Sequence, residues 1–138
     1  MPAVYHIWYV MQKALQERRE RPEKKVQAFF YRTEAGGEPL REWLKNLPRW
    51  ITRLIGEDIK TCELGWPVGM PTSRPLGDGL HEVRTNLPDG RISRVIFYID
   101  QNQRMVLLHG FFKKTRGLPT ADLALAKKNK AKHEGVLR

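Results

Sequence analysis

Six polar side chains interrupt three strand-like segments in the second half of the chain: Glu82, Arg84, Arg94, Tyr98, His109 and Lys113. They form three pairs whose members are two or four positions apart, so each pair points to a single face of its strand. Across a three-stranded sheet the pairs are expected to converge on one surface. Cations beside a proton acceptor would suit reactions at a phosphate ester.

Arg94 is the most informative of these residues because it interrupts the apolar run ISRVIFYI. An unpaired buried charge is costly, so its guanidinium is expected to have a carboxylate partner or an anionic ligand. The alternative to ligand binding, for Arg84 as well as Arg94, is a structural ion pair with Glu82 or Asp100.

The remaining candidates also have structural interpretations. His109 would then be a partly buried, hydrogen-bonded histidine, and Tyr98 would pack in the core with its hydroxyl at the sheet edge. Lys113 and Lys114 would be solvated, although they directly follow an apolar strand and lie beside the proposed surface.

Signatures of other chemistries are weak. The four histidines include no pair three or four residues apart on a helix, and the turn at 77–79 lacks the spacing of a phosphate-binding loop. Cys62, the single cysteine, falls on an apolar helical stripe and is interpreted as a core residue. We therefore predict no metal and no cofactor.

The net charge of +10 is concentrated at the chain ends. Residues 113–138 contain eight basic and two acidic residues, whereas residues 26–112 contain eleven and ten. Such a local excess indicates a polyanionic partner, with nucleic acid favoured over a membrane surface, and the lysines expected to bind it by charge are Lys127, Lys128, Lys130 and Lys132. The alternative is a solvated tail. No apolar run is long enough to span a bilayer, so we expect a cytoplasmic protein without a membrane partner.

Hydrophobic periodicity and turn residues define the elements. A strand over 26–32 precedes a helix from Pro39 to Leu47 and a second helix over 51–62. Residues 69–79 have loop chemistry throughout. Strands over 80–86, 91–100 and 104–112 form a meander, and a helix follows from Thr120. These elements predict an α+β fold, a small antiparallel sheet with helices packed on one face. Residues 1–25 are an extension of unknown role, and 26–138 form one domain.

Three ordered motifs carry a family resemblance: PTSRPLGDGLHEVR over 71–84, RVIFY over 94–98 and LLHGFFKKT over 107–115. The segment PLREWL over 39–44 and the helix after Pro119 fit the same pattern. The set resembles the phage-related branch of the RelE/HigB toxins of type II toxin–antitoxin systems, with coverage from about Val26 to His133.

The resemblance implies a RelE-like, microbial-ribonuclease-like fold and metal-independent cleavage of mRNA, typically on the ribosome. It also implies an antitoxin with a helix-turn-helix domain, through which alone the toxin would reach operator DNA. The basic positions of the family fall on Arg84, Arg94 and Lys114. Where RelE itself carries a lysine on the first meander strand this chain has Glu82, and the late catalytic tyrosine has no clear counterpart before Thr120.

On this basis Arg84 and Arg94 are assigned to the phosphate and Lys114 to the leaving group, because RNA supplies its own 2′-hydroxyl nucleophile. Glu82 or His109 is the candidate base, and Lys113 and Tyr98 are expected to contact the RNA. Two rivals remain: a toxin of the same scaffold that targets gyrase, which would not need this cluster, and a non-catalytic nucleic-acid-binding protein, for which the basic helix would suffice.

Overall fold

The computed structural model describes residues 3–20, 23–114 and 119–135. Within these ranges the elements are α1 (Ala3–Glu20), β1 (Gln27–Phe30), α2 (Pro39–Lys45), α3 (Arg49–Gly65), β2 (Ser73–Gly77), β3 (Leu80–Asn86), β4 (Ile92–Ile99), β5 (Arg104–Phe112) and α4 (Thr120–His133). The predicted α+β class is confirmed.

The five strands form a single sheet in the order β1-β5-β4-β3-β2. Strands β2 to β5 pair antiparallel, and this includes the predicted meander of β3, β4 and β5. β1 differs from the prediction because it joins β5 in parallel, from Gln27 opposite Arg104 to Phe30 opposite Leu107. The sheet is therefore mixed. A parallel pair needs a long crossover connection, and the chain between β1 and β5 supplies it.

β2 corrects the prediction that residues 69–79 are loop throughout. Ser73–Gly77 pair with β3 at the edge of the sheet. An edge strand tolerates Pro75, whose missing N–H costs no hydrogen bond on the outer side. The tight turn to β3 passes through Asp78 and Gly79, both at positive φ, where glycine fits without strain.

Helices α2 and α3 cover one face of the sheet. The apolar stripe predicted for α3 is buried, with Ile51 and Ile55 fully inaccessible to solvent. The core on this side contains Leu40, Ile51, Ile55, Ile59, Cys62, Val83, Val95, Phe97, Met105 and Leu107. Cys62 is a core residue, as predicted, and burial raises the pKa of its thiol to about 11.

Helix α4 packs on the opposite face of the sheet. The sequence predicted helices on one face only, with the other face partly open. Ala126 and Leu123 of α4 pack in a second core cluster with Ile96 and Leu108. Asn129 donates a hydrogen bond to the Leu108 carbonyl at 3.0 Å. Two-sided cover is required because β4 is buried on both faces from Ser93 to Tyr98.

Helix α2 lies directly on the backbone of β5 at Gly110. A Cβ atom at this position would lie 2.5 Å from Leu40 Cδ1 and 2.7 Å from Trp43 Cζ3. Both distances are far below a van der Waals contact, so the helix can approach this closely only over glycine.

Helix α1 exposes large apolar side chains, among them Ile7, Trp8, Tyr9, Val10 and Met11. Among the described residues, no helix is long and apolar enough to cross a membrane. The division of the chain at residue 25 stays a prediction.

Glu63 of α3 connects the segment before β1 to the helical layer. Its buried carboxylate accepts a hydrogen bond from the Ala28 N–H at 2.9 Å and pairs with Lys24 Nζ at 3.0 Å. The Glu63 carbonyl also accepts from the N–H of Lys25 at 2.7 Å. Glu63 thus fixes the position at which the chain enters β1.

We predict that Glu63→Ala lowers the free energy of unfolding by about 1–3 kcal/mol, because it leaves the Ala28 N–H without its acceptor. Urea unfolding measures the change. Glu57→Ala, on an exposed part of the same helix, is the matched control and should have little effect. Equal stability of the two variants would contradict this role for Glu63.

Candidate anion-binding cleft

A buried carboxylate organises the arginines on the α4 face of the sheet. Glu82 of β3 is 2% exposed and pairs with Arg74 of β2, whose Nη2 lies 2.9 Å away. Arg94 of β4 approaches it from the other side, with 3.5 Å between Nε and Oε2. The structural alternative considered from the sequence, an ion pair of Arg94 with Glu82, is therefore present. Asp100 pairs instead with Arg104, at 2.7 Å.

Arg94 contacts Glu82 as an ion pair without a hydrogen bond. Its side chain is 6% exposed, and within the described ranges its Nε has no hydrogen-bond partner. Arg84 lies directly opposite it on β3, and its buried Nε is also without one. Glu82 contacts Arg74 and Arg94, whereas Arg84 forms no salt bridge with a described residue, so three guanidinium groups face one carboxylate and leave a positive surface that an anion would neutralise.

The end of β5 forms one wall of a cleft of about 330 Å³ at Arg94. Its lining comprises Trp43, Arg94, Gly110, Phe111, Phe112, Lys113, Lys114, Pro119 and Asp122. Three cations and one carboxylate are in this set, so the cleft is suited to an anionic ligand. The predicted convergence of Arg94 with Lys113 and Lys114 is observed. Thr115, the last residue of the third motif, lies outside the described residues.

His109 lies beside this cleft rather than in its lining. Its Nε2 is 2.7 Å from Asp122 Oδ1, and its ring stacks on Phe111 with 5.7 Å between centroids. Asp122 was not among the residues selected from the sequence. The sequence puts Asp122 near the start of the predicted last helix, but only the fold shows that this turn faces β5.

Tyr98 occupies a different cleft, of about 500 Å³, between the β4–β5 turn and the end of α4. Its hydroxyl forms a hydrogen bond with His133 Nδ1, and Lys130 Nζ lies 5.4 Å from the centre of its ring. The structure does not bring Tyr98 to the Arg94 cleft. Its predicted contact with RNA stays a prediction, as do the roles assigned to the other candidates.

The four lysines of α4 fall into two pairs. Lys127 Nζ lies 3.0 Å from a carboxylate oxygen of Asp78, and Lys130 Nζ donates to the Asp78 carbonyl at 3.1 Å. These two lysines attach α4 to the β2–β3 turn. Lys128 and Lys132 are exposed and make no ion pair with any described residue.

Arg74, like Asp122, was not selected from the sequence. It was assigned to a loop, and only its pairing across from Glu82 in β2 and β3 shows that it shares the polar surface. Within the described ranges no group of three His, Cys, Asp or Glu residues could hold a metal ion.

Residues 42–131 match the family model described as Phage derived protein Gp49-like (DUF891). This range covers well over half of the chain. The protein belongs to the Gp49-like family. That family is associated with toxin–antitoxin systems. A search of curated proteins found no match. In this Gp49-like protein the matched range contains every residue of the Arg94 cleft.

Tyr98 provides a pH-dependent probe of the contact between the sheet and α4. Burial, followed by the charges of Glu134 and Asp100, raises its pKa to about 12 from the ordinary 10. A raised folded-state pKa stabilises the fold below the unfolded value and loses this contribution as the pH rises through the folded one. We predict a loss of stability between about pH 10 and 12.

Tyr98→Phe should remove that part of the pH dependence, and the difference spectrum of the two proteins should show a phenol that ionises near pH 12. Unfolding measurements and ultraviolet titration would test both points. A Tyr98 phenol that ionises near pH 10 would contradict the buried contact with α4.

Proposed function

We propose that this Gp49-like protein is a toxin of the RelE/HigB kind, a metal-independent endoribonuclease that cleaves mRNA, typically on the ribosome. The observation that carries the proposal is Arg94, a buried cation whose side chain lines a cleft with Lys113 and Lys114. A non-catalytic binding protein would not need to bury a cation there, because exposed lysines are sufficient for nonspecific affinity.

The chemistry requires little beyond this arrangement. RNA carries its own nucleophile, and the charge that develops on the phosphorane is stabilised by cations fixed in advance. Arg94 is fixed by Glu82, and Arg84 lies across the strand pair from it. Lys114 would approach the leaving oxygen. A gyrase-targeting toxin of the same scaffold has no need for such a cluster.

The partner that this function requires is an antitoxin. The association of the family with toxin–antitoxin systems supports one, and the charges of the cleft favour an acidic segment. Such a segment would compete with RNA for Arg94, Lys113 and Lys114, and a helix-turn-helix domain on the same antitoxin would link the complex to operator DNA.

We predict that Arg94→Ala lowers cleavage of a defined message on ribosomes by about a hundred- to a thousandfold, as expected when one preorganised donor to the transition state is removed. The same change leaves Glu82 buried with Arg74 as its only charged partner among the described residues, so the protein should also lose stability.

The double variant Arg94→Ala/Glu82→Gln separates these two effects. It removes the buried carboxylate along with the guanidinium, so the melting temperature should recover while cleavage stays low. Recovery of cleavage together with stability would assign Arg94 to structure alone and overturn the catalytic proposal. Binding of the message without any cleavage by the unmodified protein would favour the non-catalytic alternative.

We predict that Lys128→Gln/Lys132→Gln weakens RNA binding and lowers the slope of log Kd against log salt by about 1.4, the value for two phosphate contacts on a single strand. The catalytic rate at saturating RNA should be unchanged. Lys127→Gln/Lys130→Gln removes the same charge but breaks contacts to Asp78, so it should lower the melting temperature more.

Titrations at several salt concentrations and thermal unfolding of both double variants would make this comparison. Identical losses of affinity and stability in the two variants would show that α4 acts only through its total charge, and would contradict the division into binding and anchoring lysines.

A further inference from the structure

Asp122 is the one carboxylate among the described residues that line the Arg94 cleft. It projects from the first turn of α4, and the same lining contains Arg94, Lys113 and Lys114. An anionic substrate drawn in by these cations would therefore meet a single group in the cleft that can accept a proton at neutral pH.

The salt-bridge partner of Asp122 among the described residues is His109, and this contact is an ion pair only when the imidazole is protonated. Among the described residues Asp122 contacts no lysine or arginine within salt-bridge distance, and its partner is His109 Nε2 at 2.7 Å. Glu82 presents the opposite case, since its carboxylate is buried between Arg74 and Arg94. A proton acceptor must be reachable by the substrate, and Asp122 is a third exposed.

His109 is placed to orient this carboxylate from behind. Its ring is held between the hydrogen bond to Asp122 and the face of Phe111, and it does not itself line the cleft. An imidazole that donates from Nε2 would fix one oxygen of Asp122 and leave the other oxygen available to the substrate. Of the two groups, the carboxylate lines the cleft and the imidazole does not.

We propose that Asp122 is the general base of the cleavage reaction and that His109 is its positioning residue. The inference rests on the proposed endoribonuclease function and names a residue to which no role was assigned. It reverses the expectation that the imidazole of His109 or the carboxylate of Glu82 accepts the proton.

Asp122 takes the proton of the 2′-hydroxyl while the 2′-oxygen forms a bond to phosphorus, and the bond from phosphorus to the 5′-oxygen breaks. The leaving 5′-oxygen takes a proton from water, and the resulting hydroxide recovers the proton from Asp122. The products are a 2′,3′-cyclic phosphate and a 5′-hydroxyl, and no oxidant or metal is needed.

Single-turnover cleavage of a defined message on ribosomes tests the assignment. Asp122→Asn keeps an oxygen acceptor for His109 but cannot take a proton, so the rate at saturating message should fall by about a hundredfold or more. Binding of a 2′-O-methyl RNA, which cannot react, should be unchanged or tighter because a negative charge has been removed from a basic cleft.

The His109 variants separate positioning from proton transfer. His109→Gln retains an N–H donor and should lose about tenfold at most, whereas His109→Phe should lose more because it leaves Asp122 unoriented. Glu134→Gln, at the far end of the same helix, is the matched control for the loss of one negative charge. Thermal unfolding of each variant checks that it is folded.

Each outcome decides a different point. An Asp122→Asn protein within tenfold of the unmodified rate, or a His109→Gln protein as slow as Asp122→Asn, overturns the assignment while leaving the endoribonuclease function intact. If the unmodified protein binds the 2′-O-methyl RNA but cleaves no message, the proposed function fails and the assignment fails with it.

Discussion

The interaction on which the site depends is the approach of Arg94 to the buried carboxylate of Glu82. A guanidinium inside an apolar strand is tolerable only beside a negative charge, and Glu82 provides it on the adjacent strand. Arg74 shares the same carboxylate from the sheet edge. One negative charge thus holds two cations, and the excess positive charge is fixed in place before any ligand arrives.

The sheet and α4 enforce this arrangement from both sides. Because β4 is buried on both faces, its backbone has little freedom, and the alternation of its side chains puts Arg94 on the α4 face. The contact of Asn129 with the Leu108 carbonyl fixes α4 against β5. The first turn of α4 then lies at the cleft, where Asp122 meets His109. The geometry of the site therefore depends on packing in the core.

The local sequence pattern was sufficient to predict much of this fold and site. The α3 stripe of Ile51 and Ile55 and the meander strands followed from periodicity, and the alternation of Glu82 and Arg94 correctly put them on one surface. The sequence pattern did not predict contacts between residues that are distant in sequence. The side of the sheet that α4 covers, the strand that contains Arg74 and the partner of His109 all depend on tertiary pairing, which periodicity does not encode.

The parallel pairing of β1 with β5 has a consequence for how the chain is made. β1 precedes its partner strand β5 in the chain, with α2, α3, β2, β3 and β4 between them, so a growing chain cannot complete the sheet before β5 has been made. The cleft draws its walls from α2, β4, β5 and α4, and it can form only after α4 has been made. A nascent chain therefore carries no assembled cleft until α4 has been translated.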